Sequence, residues 1–156
     1  MNKIIFVLLT VLSIGWVKAQ SFSSSAIQKH VNSKDHLMLS GYDAVAYFNS
    51  GKAIKGKKIY ACSYQGQRYY FSTDANRGLF LSQPESYVPQ YGGWCAYAMG
   101  DSGEKVEVDP ETFKIVDHKL YLFYNFYFTN TLVKWNENEK ILKSNADKNW
   151  KVMLSK

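Results

Sequence analysis

The chain has 156 residues, with 19 lysines and arginines against 13 acidic residues, a net charge of +6, and 16% aromatic residues including 12 tyrosines. The balance is only mildly basic, and the lysines are scattered apart from Lys52, Lys55, Lys57 and Lys58 in a glycine-bounded turn, which reads as a solvated loop and argues against nucleic-acid binding. The length suits one domain with a single core.

Lys3, the apolar run over residues 4–17 and the small-residue site Val17-Lys18-Ala19 have the three parts of a secretory signal peptide. Residues 1–19 are therefore expected to be removed, and the mature chain to be exported, periplasmic or extracellular, with Gln20 at its start. The run is well short of the ~20 residues a membrane-spanning helix needs. No second run follows, so no membrane span is expected in the mature chain. The serine-rich stretch before Ala26 reads as flexible, which predicts a leader over residues 20–35 and a folded domain over residues 36–153.

Residues 59–71 alternate around Gln65-Gly66, the signal of a short β-hairpin with Tyr60, Cys62 and Tyr64 on one face and Ile59, Ala61 and Ser63 on the other. Ser72 or Thr73 is placed to cap a helix whose first turn holds Asp74, and Pro84 is placed to end it. Gly92-Gly93 marks a sharp turn. Residues 114–116 and 119–124 predict a second hairpin about Asp117-His118. Beyond Thr129, Leu132, Trp135, Leu142, Ala146, Trp150 and Met153 recur at mostly helical separations. The predicted fold is α+β: a small antiparallel sheet of β-hairpins packed with short helices and a C-terminal helix or helix pair.

Tyr64, Gly66, Tyr69, Tyr70 and Phe71, followed by Phe80, Pro84 and Tyr87, form a pattern that resembles the YHS-domain family. Gly41-Tyr42-Asp43-Ala44-Val45-Ala46-Tyr47-Phe48, Tyr91-Gly92-Gly93-Trp94-Cys95-Ala96-Tyr97, Val116-Asp117-His118-Lys119-Leu120-Tyr121-Leu122, Tyr124-Asn125 and Ala146-Asp147 with Trp150 resemble its secreted, stand-alone branch in order and spacing. The likeness covers residues 41–150. It implies a link to metal, copper above all, in members with two cysteines after the Tyr-Phe, the first directly and the second four residues later. Ser72 and Asn76 occupy those places here, and a hydroxyl and a carboxamide are poor ligands for zinc or copper. The resemblance thus implies the family's fold without its usual metal pair.

An oxidising compartment makes Cys62 and Cys95 a candidate disulfide, whose closure would contribute roughly 3–4 kcal/mol in the chain-entropy model. Two buried inert thiols, or a ligand or reactive role for Cys95, are the alternatives. The resemblance places a cysteine of the secreted branch at Cys95 and none at Cys62. Cys95 and Met99 make a soft pair suited to a copper ion in its monovalent state, with His30, His36 or His118 as a further ligand, although core packing also explains Met99. Asp43 either caps the segment 44–48 or takes a binding role beside Cys95. Cys95, Asp43, Trp94 and Tyr97 are the candidate ligand-binding residues.

No histidine-containing motif accompanies Cys95, and paired-carboxylate, serine-triad, phosphate-loop and zinc-finger signatures are absent from the sequence. The chain reads as an exported, non-enzymatic binding module for a small ligand, metal ion or exported protein partner. A thiol-dependent enzyme or redox protein using Cys95, and a structural interaction domain without a small ligand, are the rival readings.

Overall fold

The computed structural model describes residues 24–156, so the expected signal peptide and the first leader residues lie outside the described residues. The described chain runs α1 (Ser24–Gln28), β1 (Ser33–Lys34), β2 (Leu37–Met38), α2 (Ala46–Asn49), β3 (Lys57–Tyr64), β4 (Gln67–Phe71), α3 (Asp74–Ser82) and α4 (Ala96–Asp101). It continues through β5 (Asp109–Val116), β6 (Lys119–Phe123), β7 (Asn125–Phe126), β8 (Thr129–Asn130), α5 (Thr131–Glu137) and α6 (Glu139–Leu154).

Tight turns set the strand pairing. Asp35-His36, Gln65-Gly66 and Asp117-His118 join β1 to β2, β3 to β4 and β5 to β6, and all six residues have φ between 47° and 75°. Two consecutive left-handed residues give a turn whose twist matches antiparallel strands. Glycine reaches that conformation freely, and aspartate and histidine tolerate it better than most side chains. One sheet has the order β1-β2-β4-β3, while β5–β6 and β7–β8 are separate ribbons. The predicted α+β class is found, with one parallel pairing, Leu37 with Arg68, inside the otherwise antiparallel sheet.

The predicted leader over residues 20–35 is corrected in its described part. The Trp94 indole N–H donates to the His30 carbonyl at 2.6 Å, and the Asn32 backbone N–H to the Gly92 carbonyl at 2.8 Å. These bonds and the β1–β2 pairing tie the segment to the domain, whose folded part therefore begins before residue 36.

Strand β6 explains how so small a protein holds two apolar clusters. Its side chains alternate between faces: Leu120 and Leu122 pack with Tyr47, Phe71 and Phe80, whereas Tyr121 and Phe123 pack with Met99, Trp135 and Ala146. The C-terminal helices close the second cluster, as the helical spacing of Trp135, Leu142 and Ala146 predicts. Helix α4 lies so close to α6 that a Cβ at Gly100 would stand 2.4 Å from the Leu142 carbonyl oxygen. Gly100→Ala is expected to destabilise the domain by about 2–3 kcal/mol through overpacking, seen as a lower urea midpoint at unchanged slope.

Candidate functional site

Asp43 is fully buried. The ion pairs found among the described residues are Arg77–Asp74, Lys114–Glu139 and Lys143–Asp117, none of which involves it. Hydrogen-bond donors meet its charge instead. Oδ1 accepts the backbone N–H groups of Val45 at 2.9 Å and Ala46 at 3.2 Å. Oδ2 accepts the Ser72 N–H at 2.7 Å, the Ser72 hydroxyl at 2.6 Å and the Asn76 side-chain N–H at 2.7 Å. Bonds to an ionised acceptor are shorter and stronger than neutral ones.

The Oδ1 bonds are local, satisfying N–H groups at the start of α2, close to the capping role expected of Asp43. The Oδ2 bonds fasten the chain around Asp43 to the start of α3. Capping of α3 itself falls to Thr73, whose hydroxyl accepts the Asn76 backbone N–H at 3.1 Å. Ser72, the other capping candidate, is thereby left to donate to Asp43.

Cys62 and Cys95 are both free thiols, so the candidate Cys62–Cys95 disulfide is not formed. Cys62 lies on β3 opposite Tyr69, at the edge of the first cluster, and burial pushes its thiol pKa up against an opposing effect of Arg77. Cys95 precedes α4 and is fully buried; its Sγ accepts the Tyr124 N–H at 3.4 Å and lies 3.4 Å from the Thr131 hydroxyl.

Met99 is packed in the second cluster. His30 stands against Trp150, and His36 and His118 occupy exposed turns. Among the described residues no group of three His, Cys, Asp or Glu side chains can hold a metal ion. The polar contacts of the Cys95 Sγ are with Tyr124 and Thr131 and not with a histidine, which lends the candidate copper site of Cys95, Met99 and a histidine no support. Nor do Asp43, Cys95, Trp94 and Tyr97 converge: Asp43 is tied to α3, the Trp94 indole N–H to His30, and Tyr97 lies beside Lys134.

A cleft of about 490 Å³ opens between the β3–β4 hairpin, α1, the segment 85–92 and Trp150 of α6. Tyr64, Tyr69, Tyr91 and Trp150 supply aromatic walls, and Gln28, Gln65, Gln67 and Gln90 supply carboxamides. Gln67 is 7% exposed, and its Oε1 is buried without a hydrogen-bond partner. The Tyr64 hydroxyl donates to Glu85 and accepts from Gln65 Nε2 at 3.0 Å. Burial and the Glu85 bond push the Tyr64 pKa up to about 12, so this phenol keeps its proton.

Residues 45–91 match the family model of the YHS domain. The chain carries a YHS domain. Comparisons with curated proteins and with solved structures found no match. The matched segment runs from the start of α2 to Tyr91, so it contains Ser72, Asn76 and much of the cleft, while Asp43 and Cys95 lie outside it.

The YHS family is linked to metal handling, but the residues at its paired-cysteine positions do not fit a soft metal. Ser72 and Asn76 direct hydrogens at a single carboxylate oxygen, where a metal requires lone pairs. A cation placed there would break those bonds and meet no thiolate.

The cleft was missed by sequence reasoning, though β4 holds a signal for it. Gln67, Tyr69 and Phe71 point to one buried face of the strand, and a glutamine in the inward register of an aromatic strand marks a polar group that needs a partner.

Proposed function

We propose that the protein is an exported, non-enzymatic binding module built on its YHS domain. The Asp43 network carries this reading. The position that holds a metal pair in cysteine-bearing relatives is occupied by structural hydrogen bonds, and the cleft beside the β3–β4 hairpin has the size and mixed lining of a small-ligand site. Cys95, the nucleophile of the rival thiol enzyme, is fully buried, whereas reactive cysteines sit partly exposed in electropositive surroundings. Export rests on the pattern of residues 1–19, and no helix of the described residues is long and apolar enough to cross a membrane.

Protein recovered from outside the cytoplasm should begin at Gln20 on N-terminal sequencing. It should show both thiols after denaturation without reductant, and no turnover in broad hydrolase and oxidoreductase panels. Reproducible turnover abolished by Cys95→Ser would overturn the non-enzymatic reading, and recovery of the uncleaved chain only inside the cell would overturn export.

A further inference from the structure

We infer that the cleft between the β3–β4 hairpin and Trp150 binds a small organic ammonium ion, the amine held at Glu85 and Gln67 and its apolar body against the aromatic walls. This deepens the proposed binding role and rests on it. The first observation is charge. In a chain with a net charge of +6, the residues lining this cleft include no lysine, arginine or histidine, and their one ionisable carboxylate is Glu85. An anionic ligand would find no counter-charge there, whereas a cation would find a carboxylate at the rim.

The second observation is the unpaired acceptor. Gln67 is more than nine-tenths buried, lines the cleft, and leaves its Oε1 without a donor. Leaving such a group unpaired is costly, and because the Oε1 is itself shut off from solvent, a ligand N–H recovers that bond by turning the Gln67 carboxamide toward the cleft. An ammonium carries three donors, enough to serve Gln67, Glu85 and a further carboxamide. The third observation is the wall itself, since Tyr64, Tyr69, Tyr91 and Trp150 offer ring faces that attract cations and bury hydrocarbon.

The test uses the purified full-length mature protein and three probes at matched concentrations: phenethylammonium, its neutral isostere phenethyl alcohol, and glucose. Binding is followed by NMR at the Trp150 indole N–H and the Gln67 side-chain amide. Phenethylammonium should shift both resonances saturably and bind about tenfold tighter than the alcohol. Glu85→Gln, an exposed substitution, should bring the amine down to the alcohol's level, and Gln67→Met, which keeps side-chain length, should weaken the amine more than the alcohol. Equal binding of amine and alcohol, preferential binding of glucose, or no saturable shift with any probe would each overturn the ammonium inference. The first two would leave the binding-module reading standing. Chemical conversion of a bound probe would instead overturn the non-enzymatic reading.

Discussion

Asp43→Ala is expected to destabilise the domain by about 3–5 kcal/mol, a large part of the 5–15 kcal/mol typical of a folded domain. The substitution removes a fully buried acceptor from the N–H groups of Val45, Ala46 and Ser72, from the Ser72 hydroxyl and from the Asn76 amide. Each buried donor left without a partner costs its desolvation, and water has little room to replace the carboxylate. Asp43→Asn should also be damaging. It keeps the shape and one acceptor oxygen, but an NH2 on either side faces donors rather than acceptors.

Ser72→Ala should cost less, about 1.5–3 kcal/mol, because the remaining donors still meet the carboxylate. Asp43→Ala and Ser72→Ala should not add, since they remove the same bond. Urea unfolding measures all of these. An Asp43→Ala domain within about 1 kcal/mol of the parent, the size of an ordinary point substitution, would show that the network contributes little to stability.

The second large effect is a gain. Ser72→Cys combined with Asn76→Cys should turn the hydrogen-bonded centre into a metal site, because two thiolates four residues apart would flank a buried carboxylate already 2.6 Å from Ser72 Oγ and 2.7 Å from Asn76 Nδ2. Without metal the variant should be less stable than the parent, since Asp43 loses two side-chain donors. With zinc at a hundredfold excess over its dissociation constant it should recover about 2.7 kcal/mol by mass action. The parent should gain nothing from the same addition. Thermal unfolding with and without zinc reads both effects, and a variant indifferent to zinc would mean that the backbone here does not hold the geometry of a metal pair.

The sequence disclosed the parts of the fold that depend on local chemistry. Gln65-Gly66 and Asp117-His118 announce their hairpins because a two-residue turn needs left-handed residues, and the spacing of Trp135, Leu142 and Ala146 announces a buried helical face. Asp35-His36 makes the same kind of turn, yet β1 and β2 are too short for alternation to show, so the predicted boundary between leader and domain falls inside this hairpin, between Asp35 and His36. The Asp43 centre was legible in pieces. Asp43 reads as a capping residue and Ser72 and Asn76 as replaced ligands, but nothing local says that they meet, since 29 and 33 residues separate them. The convergence expected at Cys95 failed for the same reason. Asp43 and Cys95 are tied to different packing partners, Asp43 to α3 and Cys95 to Tyr124 and Thr131, and sequence order alone does not reveal such neighbours.

The most direct measurement of the account is a competition titration of the unaltered mature protein with zinc and with monovalent copper against chelators of known affinity. The Ser72 and Asn76 side chains offer hydrogens where a soft metal needs lone pairs, and the Asp43 carboxylate that accepts them is a hard oxygen ligand, so neither ion should bind stoichiometrically while the chelator competes. Tight one-to-one binding that disappears in Ser72→Ala combined with Asn76→Ala would contradict the account.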